Sequence, residues 1–318
     1  FDMVKASFTF LLFAAQASLS EASIGDQLAR VYTSYIQQPL TASQASDAGF
    51  KRIPGSSCDP TLGYAYSKEF DDSSLRGSGS GNVGASSSSP TQLYYSAAGQ
   101  LTGLSTDVYG DVEQTPFKMG YFDQIGDDHY RISVGFRSDT SGVCDPDAAP
   151  YSDPVGDVVI VQPNGIAVPI PLTEAEAIAT NQYHKGSCFD GMGYHYFLDL
   201  KTDDNSMSWT SDGLSPVVVM YNIEGDINAI FFASSDVQQG MFSTNEWEPV
   251  PLPEFAMCGN FCDRDTCTFK GNTNGMWSTM HFYFKDYKQV TCTDWGKMDC
   301  HADPTGWIPT PGLACCAA

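Results

Sequence analysis

Apolar positions along this chain fall mostly in short, partly alternating runs separated by glycine, serine and asparagine. Residues 90–104 (PTQLYYSAAGQLTGL) and 216–232 (PVVVMYNIEGDINAIFF) each hold two such runs around a glycine-containing turn, the pattern of a β-hairpin. DVVIVQPNGIAVPI at 157–170 is a third, with Asn164-Gly165 at its turn. Helical spacing is rarer. Ile24, Leu28, Val31 and Tyr35 recur at intervals that predict one N-terminal amphipathic helix. Thr173-Glu174-Ala175-Glu176 reads as a capping box opening a short helix. The pattern predicts a mostly β protein, all-β or α+β, with a few short helices.

The runs recur in pairs. CDPTLGYAY from Cys58 and CFDGMGYHY from Cys188 both read C-x4-G-Y-x-Y, at an offset of 130. The hairpins from Pro90 and Pro216 both read P-x4-Y-x3-G-x-[LI]-x-[GA]-[LI], at an offset of 126. HYRISVGF from His129 is then set against HFYFKDY from His281, and Cys144 against Cys292. An ordered set of matches points to internal duplication, with two similar disulfide-pinned β-rich halves. The expected organisation is a signal peptide at 1–17, a helical segment at 18–57 and a first repeat at 58–144. A connecting hairpin and short helix follow at 145–187, then a second repeat at 188–292 and a Cys-containing tail at 293–318. The first copy has extra length in the Gly/Ser-rich stretch GSGSGNVGASSSS; the second has an insertion holding Cys258, Cys262 and Cys267.

Composition narrows the classes. Lys5 precedes the apolar run ASFTFLLFAA, and AQA at 15–17 fits small-residue cleavage, with Ala22 a second possibility. That is the pattern of a secretory signal and is too short to span a bilayer. The chain is therefore expected to be secreted and extracellular. All ten cysteines follow this segment, and an even set in an oxidising compartment favours disulfides. The repeat-equivalent pairs are Cys58 with Cys144 and Cys188 with Cys292. Cys258, Cys262 and Cys267 have loose spacing for a zinc site and no CxxC partner. A net charge of −22 opposes nucleic acid and anionic membranes, so neither is an expected partner. There is no EF-hand loop, H-E-x-x-H, G-x-S-x-G elbow, P-loop or strand-linked G-x-G-x-x-G, and no cofactor is expected.

Candidate chemistry concentrates in the second repeat. Strand alternation puts Tyr194, Tyr196 and Leu198 on one face and His195, Phe197 and Asp199 on the other. The first copy keeps Tyr64 and Tyr66 but has Ala65 opposite His195, so the common fold does not require that histidine. His281 is matched to His129 in this alignment, as a shared structural histidine. All five tryptophans lie beyond residue 200. The expected site has His195, His281 and Asp199 as catalytic candidates and Trp209, Trp277, Phe197 and Tyr283 as ligand-binding walls. His195 and Asp199 would lie about 13 Å apart along a strand, too far to pair directly. His195 and His281 would meet only on neighbouring strands. A metal would need a third ligand such as His184 or Asp199, and none is expected. The leading expectation is a secreted protein binding a small apolar or aromatic ligand. The alternatives are a secreted enzyme acting on such a ligand, by oxidase, oxygenase (including luciferase-type) or His195 acid/base chemistry, or a structural extracellular protein. The oligomeric state is left open.

Overall fold

The structure is a computed structural model. It describes residues 24–32, 34–69, 88–109, 121–127, 129–162, 165–180, 182–198, 202–203, 206–210, 215–234, 246–251, 268–270 and 276–292. The described chain is mostly β, with two eight-stranded antiparallel sheets. The first runs β10 (Val168–Ile170), β9 (Val159–Val161), β8 (His129–Gly135), β6 (Leu101–Tyr109), β5 (Ser88–Tyr95), β4 (Tyr64–Glu69) and β3 (Phe50–Arg52). Strand β7 (Asp123–Gly126) also pairs with β8. The second runs β11 (Tyr183–Phe189), β12 (Gly193–Leu198), β15 (Val217–Tyr221), β16 (Ile227–Ser234), β19 (Met276–Tyr283), β1 (Ala29–Tyr32) and β2 (Ser34–Gln37). Strand β17 (Glu248–Pro251) also pairs with β19. A third, small sheet joins β13 (Thr202–Asp203), β14 (Ser206–Thr210) and β18 (Thr268–Lys270).

The two large sheets have the same plan. In each, a central hairpin (β5–β6 or β15–β16) lies between a strand that follows a half-cystine and a later strand bearing an extra short partner. Each sheet is completed by a hairpin from elsewhere in the chain: β9–β10 on β8, and β1–β2 on β19. After each completing hairpin comes a short helix, α1 (Ala42–Asp47) or α2 (Glu174–Thr180). Both open with a capping box, Thr41 with Gln44 and Thr173 with Glu176, which satisfies amides that a helix start leaves free. Both are tied to the central hairpin by matching bonds, Leu101 N to Leu40 O and Ile227 N to Leu172 O.

The repeated C-x4-G-Y-x-Y sequence has a packing reason. Cys58 is bonded to Cys144 and Cys188 to Cys292. A Cβ on Gly63 would meet Tyr95 O at 2.3 Å, and one on Gly193 would meet Tyr221 O at 2.2 Å. Both glycines also have φ near +90°, where side chains are strained (+96° and +89°). The second tyrosine of each motif packs edge-on against the next strand: Tyr66 on Tyr95 and Tyr196 on Tyr221, each at 5.1 Å and 85°. Tyr95 and Tyr221 in turn donate to Pro39 O and Pro171 O, at 2.9 and 2.8 Å.

The sheets pack face to face over a shared core. Met280 Sδ from the second sheet accepts from the Thr91 and Thr106 hydroxyls of the first, at 3.5 and 3.4 Å. Phe136 and Phe284 meet edge to face at 5.8 Å. Glu246 is buried at the border, where it pairs with Arg30 and accepts from Ser89 and Thr91 hydroxyls at 2.7 and 2.6 Å. A carboxylate so enclosed is tolerated because each oxygen has a donor.

Two expectations are corrected. The N-terminal helix predicted over Ile24, Leu28, Val31 and Tyr35 does not form; the described residues of 18–57 hold three strands and the six-residue α1. Val31 and Tyr35 are cross-strand partners in the β1–β2 hairpin, so their four-residue spacing reflects a tight turn. The alignment of His281 with His129 is also wrong. Strand β8 places Gly135 opposite Gly103, and β19 places Tyr283 opposite Ala229, so Ser133 stands where His281 does and His129 where Trp277 does. No described helix is long and apolar enough to cross a membrane.

Candidate functional site

The outer face of the second sheet carries the candidate residues. Backbone register aligns Phe197, Val218, Phe231 and His281 in one row across β12, β15, β16 and β19. The neighbouring row is His195, Met220, Ala229 and Tyr283. Because the opposite side of these strands builds the sandwich core, an outer face would ordinarily alternate to polar residues. Here it is apolar with two imidazoles, and it is buried: His195 is 4% exposed and His281 7%.

Phe231 connects the two histidines. Its ring centre lies 5.8 Å from that of His195 and 4.9 Å from that of His281. Phe189 meets His195 edge-on at 5.1 Å, and Phe197 lies 6.5 Å from it. Tyr283 lies 6.4 Å from His281. The histidines are on β12 and β19, with β15 and β16 between, so their backbones are about 14 Å apart by inter-strand spacing. The condition set for an acid/base pair, neighbouring strands, is not met.

The electrostatics also limit proton chemistry. Burial, with a smaller contribution from the field of His195, pulls His281 down to about 3. Glu248 Oε2 lies 3.9 Å from His281 Nδ1, yet the imidazole is neutral near pH 7 and the contact is no ion pair there. Burial moves Glu248 in the opposite direction, upward. Tyr283 is raised as well, by burial first and then by the fields of Glu248 and Tyr35. A neutral imidazole with so low a proton affinity is a hydrogen-bonding or packing group, and a weak general base.

The structure brings together His195, His281, Phe197 and Tyr283 of the expected residues. Asp199 lies outside the described residues. Trp209 falls on β14 and Trp277 on β19, but their side chains lie outside the description. Sequence reasoning missed Phe231, Phe189, Met220 and Glu248. Phe231 had a signal: its partner in the matched hairpins is Ser105, a change as large as Ala65 to His195. Glu248 had none, since its contact with His281 arises only when β17 pairs with β19. Among the described residues no group of three His, Cys, Asp or Glu is arranged to hold a metal.

The first sheet offers an internal reference. Its matching row is Ser67, Gln92, Ser105 and Ser133, and beside it Arg131 donates to both oxygens of Asp107, at 2.6 and 2.9 Å. His129 completes that cluster at 3.2 Å from Asp107. No protein-family model, curated protein or solved structure matches this chain, so the reading of the site rests on its own chemistry.

Proposed function

We propose that this is a secreted, internally duplicated protein whose second half binds a small apolar or aromatic ligand against the outer face of its second sheet. The carrying observation is the row Phe197–Val218–Phe231–His281 with His195 and Tyr283 beside it, standing where the first sheet has serines and a glutamine. Aromatic rings offer area and stacking edges to an apolar ligand, and the neutral His281 imidazole offers an oriented donor or acceptor at low desolvation cost. Duplication is supported by the shared strand order, the paired capping boxes and the matching glycine and tyrosine contacts. Each half then lends its first hairpin to the sheet of the other. Secretion is supported by the disulfides and the N-terminal pattern.

Binding is favoured over catalysis by the separation of the two histidines and the suppressed basicity of His281. Native mass spectrometry of the protein from its own source, compared with its denatured mass with disulfides intact, tests the reading. An excess of several hundred daltons that is lost on denaturation, and reduced in Phe231→Leu, is the expected result. No excess, together with no saturable uptake of an added aromatic probe such as anilinonaphthalene sulfonate, overturns it.

A further inference from the structure

One row of the outer faces is filled by different chemistry in the two sheets. Register sets Ala233, Thr279 and Glu248 side by side across β16, β19 and β17. The matching positions of β6, β8 and β7 hold Asp107, Arg131 and Asp123. In the first sheet this row is centred on a cation. Arg131 donates to both oxygens of Asp107, at 2.6 and 2.9 Å, and is the cross-strand partner of Asp123. The second sheet keeps the carboxylate of the short strand and drops the cation. Among the described residues Glu248 meets no lysine or arginine. Threonine and alanine stand for arginine and aspartate, so side-chain volume is lost together with charge. The row adjoins the aromatic one, because Ala233 and Thr279 lie two residues from Phe231 and His281 on the same strands.

Three acceptors meet here without donors. Thr279 is 7% exposed, and its hydroxyl is buried with no hydrogen-bond partner. It faces the same way as His281, two residues on, because Met280 between them points into the shared core. Glu248 is its direct cross-strand partner, so the two side chains leave one face with Cβ atoms about 5 Å apart. Among the described residues the His281 ring makes no hydrogen bond, since Glu248 Oε2, 3.9 Å from Nδ1, is too far for one. Burial holds His281 neutral, so one ring nitrogen carries a lone pair. Burial moves the Glu248 carboxyl upward, with no donor bond to offset it. A buried orphan hydroxyl is costly unless a ligand or water completes its bonding.

We propose that the small aromatic ligand of the second sheet is an amine, its ammonium held between Glu248, Thr279 and His281 and its ring against Phe231. The assignment rests on the apolar-ligand reading and names the polar end of that ligand. An ammonium has three N–H donors and no acceptor, which matches a carboxylate, a hydroxyl oxygen and an imidazole lone pair. It restores opposite Glu248 the cation that Arg131 supplies opposite Asp123. The net charge of −22 raises the local concentration of cations.

Isothermal titration of the full chain with 2-phenylethylamine, and with 2-phenylethanol as its uncharged counterpart, tests it. The amine is expected to bind at least about tenfold tighter than the alcohol. Glu248→Gln is expected to weaken the amine about tenfold and the alcohol less than about twofold. Asp123→Asn, the same change in the first sheet, leaves both unaltered, which separates the site from general attraction to an acidic protein. Thr279→Val weakens the amine about threefold or more without lowering the thermal midpoint, since the hydroxyl it removes has no partner in the free protein. Equal binding of amine and alcohol, or amine binding indifferent to Glu248→Gln, overturns the ammonium assignment and leaves the aromatic site standing. No saturable binding of either probe up to about 10 mM also overturns the assignment. The apolar-ligand reading falls with it only if native mass spectrometry shows no bound ligand.

Discussion

Across the middle of the first sheet's outer face run Ser67, Gln92, Ser105 and Ser133; across the same row of the second run Phe197, Val218, Phe231 and His281. Both rows are largely buried, yet they are held by different forces. On the first sheet the Tyr94 hydroxyl reaches Ser105 at 3.3 Å and Gln92 at 3.4 Å, and the Asp107–Arg131 pair closes one side. Such a face gains from hydrogen bonds, each contributing a modest net amount. On the second, dispersion and exclusion of water dominate, and burial keeps the His281 imidazole neutral. One inner row is apolar in both sheets, Tyr66, Leu93, Leu104 and Val134 against Tyr196, Val219, Ile230 and Phe282. The strand plan is shared and the outer faces differ, which is where a function peculiar to one half would be placed.

The largest expected difference comes from truncation. Phe231→Ala removes a buried ring from the centre of its row and should cost about 3–5 kcal/mol, whereas Ser105→Ala at the matching place should cost about 1 kcal/mol or less. Urea denaturation midpoints of the two variants measure the gap, and similar losses would erase the proposed distinction. Acidification comes next. The folded-state value of His281, about 3, lies below the ordinary 6.5, so the unfolded chain binds the extra proton between them. The contribution of His281 is complete above 6.5 and falls as pH drops, by roughly 2–3 kcal/mol at pH 4.5. Glu248, raised by burial, partly offsets this below its folded value, because there the folded state holds more protons. Stability measured from pH 7 to 4.5 should fall less steeply in His281→Gln than in the natural protein. An unchanged slope would show that His281 is solvated.

Features common to both halves should respond alike. Gly63→Ala and Gly193→Ala place a methyl against a strand carbonyl and force a strained φ, costing at least roughly 1–3 kcal/mol each. Matching losses in thermal denaturation support a shared frame, and a large loss from one alone would break the comparison. The smallest effect belongs to Ser133→Ala, expected within about 0.5 kcal/mol of the natural protein. The same step at its counterpart, His281→Ala, should be severalfold more damaging.

Much of this architecture was legible locally. Alternation marked the hairpins at β5–β6, β15–β16 and β9–β10, because period two depends only on neighbouring residues. The capping box before α2 and the pairing of Cys58 with Cys144 and Cys188 with Cys292 were readable for the same reason: short patterns repeated at one spacing. Alternation also separated the two faces of β12, with Tyr196 packed on Tyr221 on one side and His195 beside Phe197 on the other. Alternation fails where two periods give the same spacing. Val31 and Tyr35 fit a helix as well as a turn, and only the pairing of β1 with β19, some 250 residues away in sequence, selected the hairpin.

The sequence by itself determined that the chain is rich in short strands, that short motifs recur along it in the same order, and that most of its histidines and all of its tryptophans lie in the second half. Tertiary structure decided which strands are neighbours, and so which side chains meet. It separated His195 from His281 by two strands, placed Phe231 in contact with both, and moved Glu248 to within 3.9 Å of one of them. Strand identity follows from local alternation, whereas strand order follows from burying the most apolar area at the least loop-closure cost over the whole chain, a sum no local pattern contains.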